Sequence, residues 1–159
     1  MTTTSSEAAL RPARTADLPA IERLLTQSGL PLAGVADAID GFLVAESGGA
    51  LIGVAGLEIR SSTALLRSVA VAPDWRSRGV GGALVRRLID GAAARGLRSL
   101  YLLTTTAEHY FPGFGFVPIT REQVPAEMRE TEEFASACPA TAVAMSLGLG
   151  ARGQPGTGD

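Results

Sequence analysis

The stretch SVAVAPDWRSRGVGGALVRRL, Ser68 to Leu88, constrains the fold more than any other part of the chain. It begins inside a nearly continuous apolar run, LLRSVAVA, as in a strand covered on both faces. Pro73 ends that strand. Gly79, Gly81 and Gly82 then open a segment where Val80, Leu84 and Leu88, with Ala83 and Ala94, mark one face at helical spacing. Arg86, Arg87 and Asp90 fall elsewhere on that wheel, and Gly96 suits the position just past the helix end. Ser99–Thr104 reads as the next strand, so strand, helix and strand form a parallel crossover.

The turn itself is chemically suggestive. Glycines let a backbone approach a ligand with no Cβ in the way. The first turn of a helix presents unpaired N–H groups at the positive end of its dipole. Together these make a site for a pyrophosphate, with Arg76 and Arg78 adding charge at its mouth. A plain strand-to-helix turn with solvated arginines has the same residues. Two other phosphate loops do not fit. A dinucleotide fingerprint needs Gly or Ala where this chain has Leu84. A Walker loop needs a lysine, and all fourteen basic residues here are arginine.

The remaining elements follow from their periods. Residues 1–8 are small and polar and read as a disordered N-terminus; residues 149–159, rich in Gly and Pro, read as a disordered tail. Residues 9–148 carry no linker or repeat and form one domain. Leu10–Arg14 is a short strand. Thr15 caps a helix carrying Leu18, Ile21, Leu24 and Leu25, which ends at Gly29–Pro31. A short second helix is expected over Leu32–Ile39. Phe42–Glu46 and Leu51–Ile59 pair through Gly48-Gly49. Ser61-Ser62 turns into Thr63–Ala72. A short helix over Ala107–Phe111 precedes a strand at Phe116–Ile119. Arg121–Ala137 is helical or irregular, and Ala142–Leu147 is the last strand. The order predicts an α+β fold with a mixed, mostly antiparallel sheet of six or seven strands and about four helices.

Composition excludes several classes of chemistry. A chain without lysine has no Schiff-base nucleophile. One Cys forms no intramolecular disulfide or Cys cluster, and one His leaves no metal site or triad. The formal net charge of -2 argues against a nucleic-acid partner. No apolar run is long enough for a membrane span and no secretory leader is visible, so a cytoplasmic location is expected.

Arg76-Ser77-Arg78-Gly79-Val80-Gly81, following Val-Ala-Val-Ala-Pro, resembles the Arg/Gln-x-x-Gly-x-Gly/Ala signature of GNAT acetyltransferases. The resemblance covers roughly residues 9–147 in element order. It implies acetyl-CoA as cosubstrate, with backbone amides of Arg76, Ser77, Arg78, Gly79, Val80, Gly81 and Gly82 on the pyrophosphate. It further implies that the strand Val69, Ala70, Val71 holds the pantetheine arm, that the Val69 N–H is the oxyanion donor, and that the two central parallel strands splay to admit the thioester. GNAT proteins are often dimers, which leaves a homodimer open.

Acetyl transfer needs a neutral amine, an oxyanion donor and a route for protonating the leaving thiolate. Many GNAT proteins place a Tyr after the second core strand for the last role. Aligned on Gly115-Phe116, that position holds Phe111, which the resemblance puts beside the cofactor; Tyr110 is one residue off. Either Tyr110 substitutes, or water protonates the thiolate, or both aromatics only pack. Glu58 is the candidate base, with Glu46 and Glu108 behind it. Arg67, interrupting an apolar run, meets either a substrate carboxylate or a protein acid. Thr104, Thr105 and Thr106 offer hydroxyls to a substrate pocket or are ordinary strand residues. His109 reads as a surface residue.

GVAGLEI, ALLRSVAVAP, LYLLTTTAEHYF and REQVPAEMRETEEFASACPATAVAM most resemble a bacterial GNAT subgroup associated with arsenic resistance, with Glu133-Phe134 and Cys138-Pro139 the most specific part. The same layout is similar to the acetyltransferase domain of N-acetylglutamate synthases. Both imply a small amino-acid-like amine as acceptor: an organoarsenical in the first case, glutamate in the second. Cys138 alone cannot hold trivalent arsenic and reads as a buried small residue. The alternative from another class is a non-catalytic acyl-CoA-binding module.

Overall fold

The computed structural model describes residues 8–105, 107–131 and 142–149. Ten regular elements are present among them: β1 (Ala9–Pro12), α1 (Leu18–Gln27), β2 (Phe42–Ser47), β3 (Ala50–Arg60), β4 (Thr63–Val71), α2 (Val80–Ala94), β5 (Ser99–Thr104), β6 (Val117–Ile119), α3 (Ala126–Arg129) and β7 (Val143–Gly148). The strands form one mixed seven-stranded sheet in the order β1-β2-β3-β4-β5-β7-β6. Pairs β1–β2, β2–β3, β5–β7 and β6–β7 are antiparallel, and β4–β5 is parallel. The chain divides into two compact units, residues 1–57 with 68–88 and residues 58–67 with 89–159.

In the first unit, the predicted stripe of α1 is buried. Ile21, Leu24 and Leu25 pack with Phe42 and Val44 of β2, Val54 of β3 and Ala70 of β4. The helix starts later than its sequence suggests. Thr15–Asp17 is a 3-10 turn, and Asp17, followed by Leu18 and Pro19, stands at the N-cap of α1. Proline fits that first turn because its missing N–H has no intrahelical partner there. The helix expected over Leu32–Ile39 is replaced by turns ending in a 3-10 turn at Ile39–Gly41. Pro31 and a left-handed Gly34 leave too short a run to nucleate a helix. Gly53 of β3 lets the start of α2 lie close to the sheet: a Cβ there would stand 3.0 Å from Val80 and 3.2 Å from Leu84.

Arg11 joins this unit's outer strands to the turn before α1. Its Nε donates to Glu46 at 2.6 Å, and its two terminal nitrogens donate to Asp17 at 2.8 and 3.0 Å. The Arg14 N–H also donates to Asp17, at 2.8 Å. These bonds, the Arg11 guanidinium first, hold the Asp17 carboxyl down to about 2 from 3.8. A carboxyl depressed in the folded state contributes stability above its unfolded value, and that contribution is lost as pH falls through the folded one. Asp17→Asn is therefore expected to cost about 1 kcal/mol at neutral pH. The difference from wild type should shrink between pH 3.8 and about 2, as read by chemical denaturation.

In the second unit, β5 pairs with β7 along its whole length, and β7 pairs with β6. Leu65, Leu103, Val124, Met128, Ala142 and Ala144 form the core. The helix expected over Ala107–Phe111 is a turn followed by a 3-10 turn at Phe111–Phe114, with Pro112 in its first positions and left-handed Gly115 ending it. The strand after it is shorter than expected, Val117–Ile119, and Phe116 is buried just before it. The segment from Arg121 resolves into a 3-10 turn at Arg121–Gln123 and the one-turn helix α3. Glu133, Phe134, Cys138, Pro139 and Thr106 lie outside the described residues.

The parallel register of β4 and β5 joins Thr63 to Ser99, Ala64 to Leu100 and Leu65 to Tyr101. Among the described residues it ends there, within the second unit.

Candidate active site

The loop between β4 and α2 belongs wholly to the first unit. Val69 and Val71 are half-buried and Ala70 is buried, so this end of β4 alternates as a strand with one face in the core should. Ser68, just before them, is left-handed at φ 61°. A non-glycine residue in that region inside a strand marks a local break in the pleat, which re-aims the peptide groups that follow. Pro73–Trp75 forms a 3-10 turn, with the Trp75 N–H donating to the Ala72 carbonyl at 2.8 Å. Ser77 (φ 68°) and Gly79 (φ 85°) then turn the chain into α2.

The head of α2 is open. Ala83 N–H donates to the Gly79 carbonyl at 3.0 Å. The amides of Val80, Gly81 and Gly82 precede that bond, so the helix does not use them. A Cβ built on Gly79 meets nothing within 4 Å, and residues Arg76 to Gly79 are exposed. No acidic residue occupies the first turn of α2. The exposed amides and the helix dipole therefore act in the same direction, toward an anion.

The two loop arginines differ. Arg76 Nε donates to the Val71 carbonyl at 3.0 Å, fastening the loop to the end of β4. Arg78 lies over the Trp75 ring, with its guanidinium carbon 4.8 Å from the ring centroid. The sequence pattern marked both arginines as charge and did not mark Trp75 at all.

The second unit holds the other candidates. Glu58 and Arg67 are an ion pair with side chains 5% and 0% exposed, Arg67 NH1 donating to Glu58 Oε1 at 3.1 Å. Glu58 Oε2 accepts from Arg60 at 2.7 Å. Glu58 is thus no solvated strand end, and Arg67 meets a protein acid. Each oxygen of the candidate base accepts one guanidinium bond, and two charged partners make the carboxylate a weaker proton acceptor than a free one. Thr63, next to this cluster in sequence, bonds through its hydroxyl to the Glu127 carboxylate and to the Arg60 carbonyl.

Tyr110 is 45% exposed and packs edge-on against Phe111 at 5.1 Å and Phe114 at 5.2 Å. Phe111 is buried and packs on Phe116 at 5.9 Å. The Thr104 hydroxyl accepts from the Ala107 N–H at 2.9 Å, closing the turn after β5, and Thr105 is exposed. Glu46 is tied to Arg11 in the first unit. Glu108 and His109 are exposed, 3.7 Å apart. Among the described residues there is no group of three or more His, Cys, Asp or Glu fit for a metal ion. Nor is any helix long and apolar enough to cross a membrane.

An α+β domain with a mixed sheet, and a glycine turn opening a helix toward an anion, is an arrangement suited to a phosphate-bearing ligand. The Acetyltransferase (GNAT) family model matches residues 9–116. The chain belongs to the GNAT acetyltransferase family. It is 35% identical over 91 residues to an amino-acid acetyltransferase of Aeromonas salmonicida and 40% identical over 90 residues to one of Pseudomonas fluorescens. These matches take in 56% and 55% of this chain but only 21% of each relative, so the chain spans about a fifth of their length. Among solved structures, N-acetylglutamate synthase of Neisseria gonorrhoeae, complexed with coenzyme A and N-acetyl-glutamate, superposes with a TM-score of 0.77 at 24% identity. That likeness covers 91% of this chain and 35% of the other. A Mycobacterium tuberculosis protein in complex with CoA superposes with a TM-score of 0.75 at 28% identity, covering 89% of this chain and 99% of its own.

Proposed function

We propose that this protein transfers the acetyl group of acetyl-CoA to the amine of a small, amino-acid-like acceptor, by direct attack on the thioester. The observation that carries the reading is the open head of α2, with three amides free of helical bonds behind a left-handed Gly79. A CoA diphosphate is the anion that its family membership makes the natural occupant. In this reading the backbone from Arg76 to Gly82 holds the diphosphate, Val69, Ala70 and Val71 hold the pantetheine arm, and the Val69 N–H stabilises the oxyanion. Phe111 packs beside the cofactor, and Tyr110, or water in its place, protonates the leaving thiolate.

The relatives named amino-acid acetyltransferases support an amino-acid acceptor. Glu58 is the base or the group that holds the buried Arg67 in place, Arg67 reaches a substrate carboxylate only when that pair opens, and Thr104 and Thr105 are assigned to the acceptor side. Glutamate and a glutamate-like organoarsenical amino acid are the two acceptors to try first. In this reading the enzyme works in the cytoplasm, as a monomer or homodimer.

The test is a panel of amines including these two, with release of CoA thiol as the signal. Acetyl-CoA is expected to raise Tm, and one amino acid to give turnover. Binding of CoA with no turnover over a wide panel would instead favour an acyl-CoA-binding module.

A further inference from the structure

The loop carries two arginines, and only one of them is spent on the fold. Arg76 is tied back to β4 through the Val71 carbonyl at 3.0 Å. Arg78 is exposed, yet it is not left to wander: its guanidinium lies 4.8 Å from the centroid of the Trp75 ring. Trp75 in turn is set by its own backbone. It closes a 3-10 turn opened by Pro73, with its N–H bonded to Ala72, and its side chain is half-buried. The indole is thus a fixed platform.

Stacking a guanidinium on an aromatic face uses the face and leaves the in-plane N–H donors directed outward. It also removes much of the rotamer freedom that a long exposed side chain would otherwise lose on binding an anion. Left-handed Ser77 and Gly79 bracket Arg78 and hold its backbone between the platform and the head of α2. The result is a pre-ordered fork for an anion, separate from the backbone amides at the helix head.

Coenzyme A carries two kinds of phosphate: a diphosphate bridge and a monoester on the ribose 3′ oxygen. The helix amides suit the bridge. The monoester is a compact dianion of the kind a guanidinium fork binds in bidentate fashion. We infer that Arg78, held on Trp75, recognises the 3′-phosphate and makes the protein select CoA over dephospho-CoA. Arg78 is the contacting residue and Trp75 a positioning residue. The inference rests on the acetyl-CoA reading above.

The experiment compares affinities of the full-length chain for CoA and for dephospho-CoA by calorimetry, with the fluorescence of Trp75, the single tryptophan, as a second signal. Wild type is expected to prefer CoA by about tenfold or more. Arg78→Gln should lower the affinity for CoA more than that for dephospho-CoA, and so remove most of that preference. Trp75→Leu should reduce the preference as well while the unliganded Tm stays near wild type, and Trp75→Phe should restore the preference; a merely structural role for the ring would move Tm instead. An equal affinity of wild type for the two ligands, or an unchanged preference in Arg78→Gln, overturns the inference. Failure of wild type to bind either ligand would instead sink the acetyl-CoA reading itself.

Discussion

Gly79→Val is expected to lower the affinity for CoA by about a hundredfold or more while leaving the fold in place. Gly79 sits at φ 85°, where a β-branched residue is strained by about 1–3 kcal/mol. The space around its missing Cβ is empty, so the protein interior does not object to a side chain there. The substitution either pulls the turn toward an ordinary backbone conformation, moving the amides of Val80 to Gly82, or keeps the turn and stands two methyl groups at the mouth of the helix. Both outcomes work against a diphosphate. Circular dichroism and the unliganded Tm report the fold, and calorimetry with CoA reports the site. A Gly79→Val protein that is folded and binds CoA like wild type would refute the assignment of this loop.

The largest stability effect is expected at Glu58. Its side chain is 5% exposed and bridges Arg67, which is fully buried, and Arg60, which is 39% exposed. Removing one member of a buried ion pair leaves the other to bear its desolvation, at a cost of about 3–5 kcal/mol. Glu58→Ala should therefore lower Tm by roughly 6–20 °C for a domain of this size. Glu58→Gln keeps an acceptor for a guanidinium and should fall between Ala and wild type. Arg67→Met should cost less than Glu58→Ala, because the Glu58 carboxylate keeps its bond to Arg60 at 2.7 Å. Equal Tm for wild type and Glu58→Ala would mean that the pair contributes nothing to the fold.

The elements that set the frame are legible in the sequence because each carries a period and a boundary. The apolar run into Pro73, the glycines at 79, 81 and 82, and the stripe from Val80 to Leu88 specify strand, turn and helix with little help from elsewhere. The same segment carries the resemblance to the family whose model matches the chain. Short elements are not legible in this way. Leu32–Ile39 and Ala107–Phe111 have helix-compatible residues, but segments of eight and five residues make too few bonds to hold themselves, and prolines and packing decide their form. The turn at Phe111–Phe114 also changes how Tyr110 relates to Phe111, since a 3-10 turn rotates adjacent residues by about 120° rather than 100°.

Side-chain partners were the least legible part. Arg67 announces itself as a charge in an apolar strand, but its partner lies on the other arm of a hairpin, nine residues earlier, and only the register brings Glu58 to it. The stacking of Arg78 on Trp75 is hidden for a different reason. The two residues are close in sequence, but their contact depends on the left-handed step at Ser77 between them. Serine is not a residue whose presence signals such a step.

Ser68 has a similar character, with a consequence for how the chain can vary. Its positive φ inside β4 is one that Gly, Asn and Asp adopt most readily and that branched side chains resist. Neighbouring positions in that strand can exchange one aliphatic group for another of like volume. Position 68 differs: a branched side chain there is expected to cost about 1–2 kcal/mol from the backbone alone, whatever happens to the hydrophobic positions on either side.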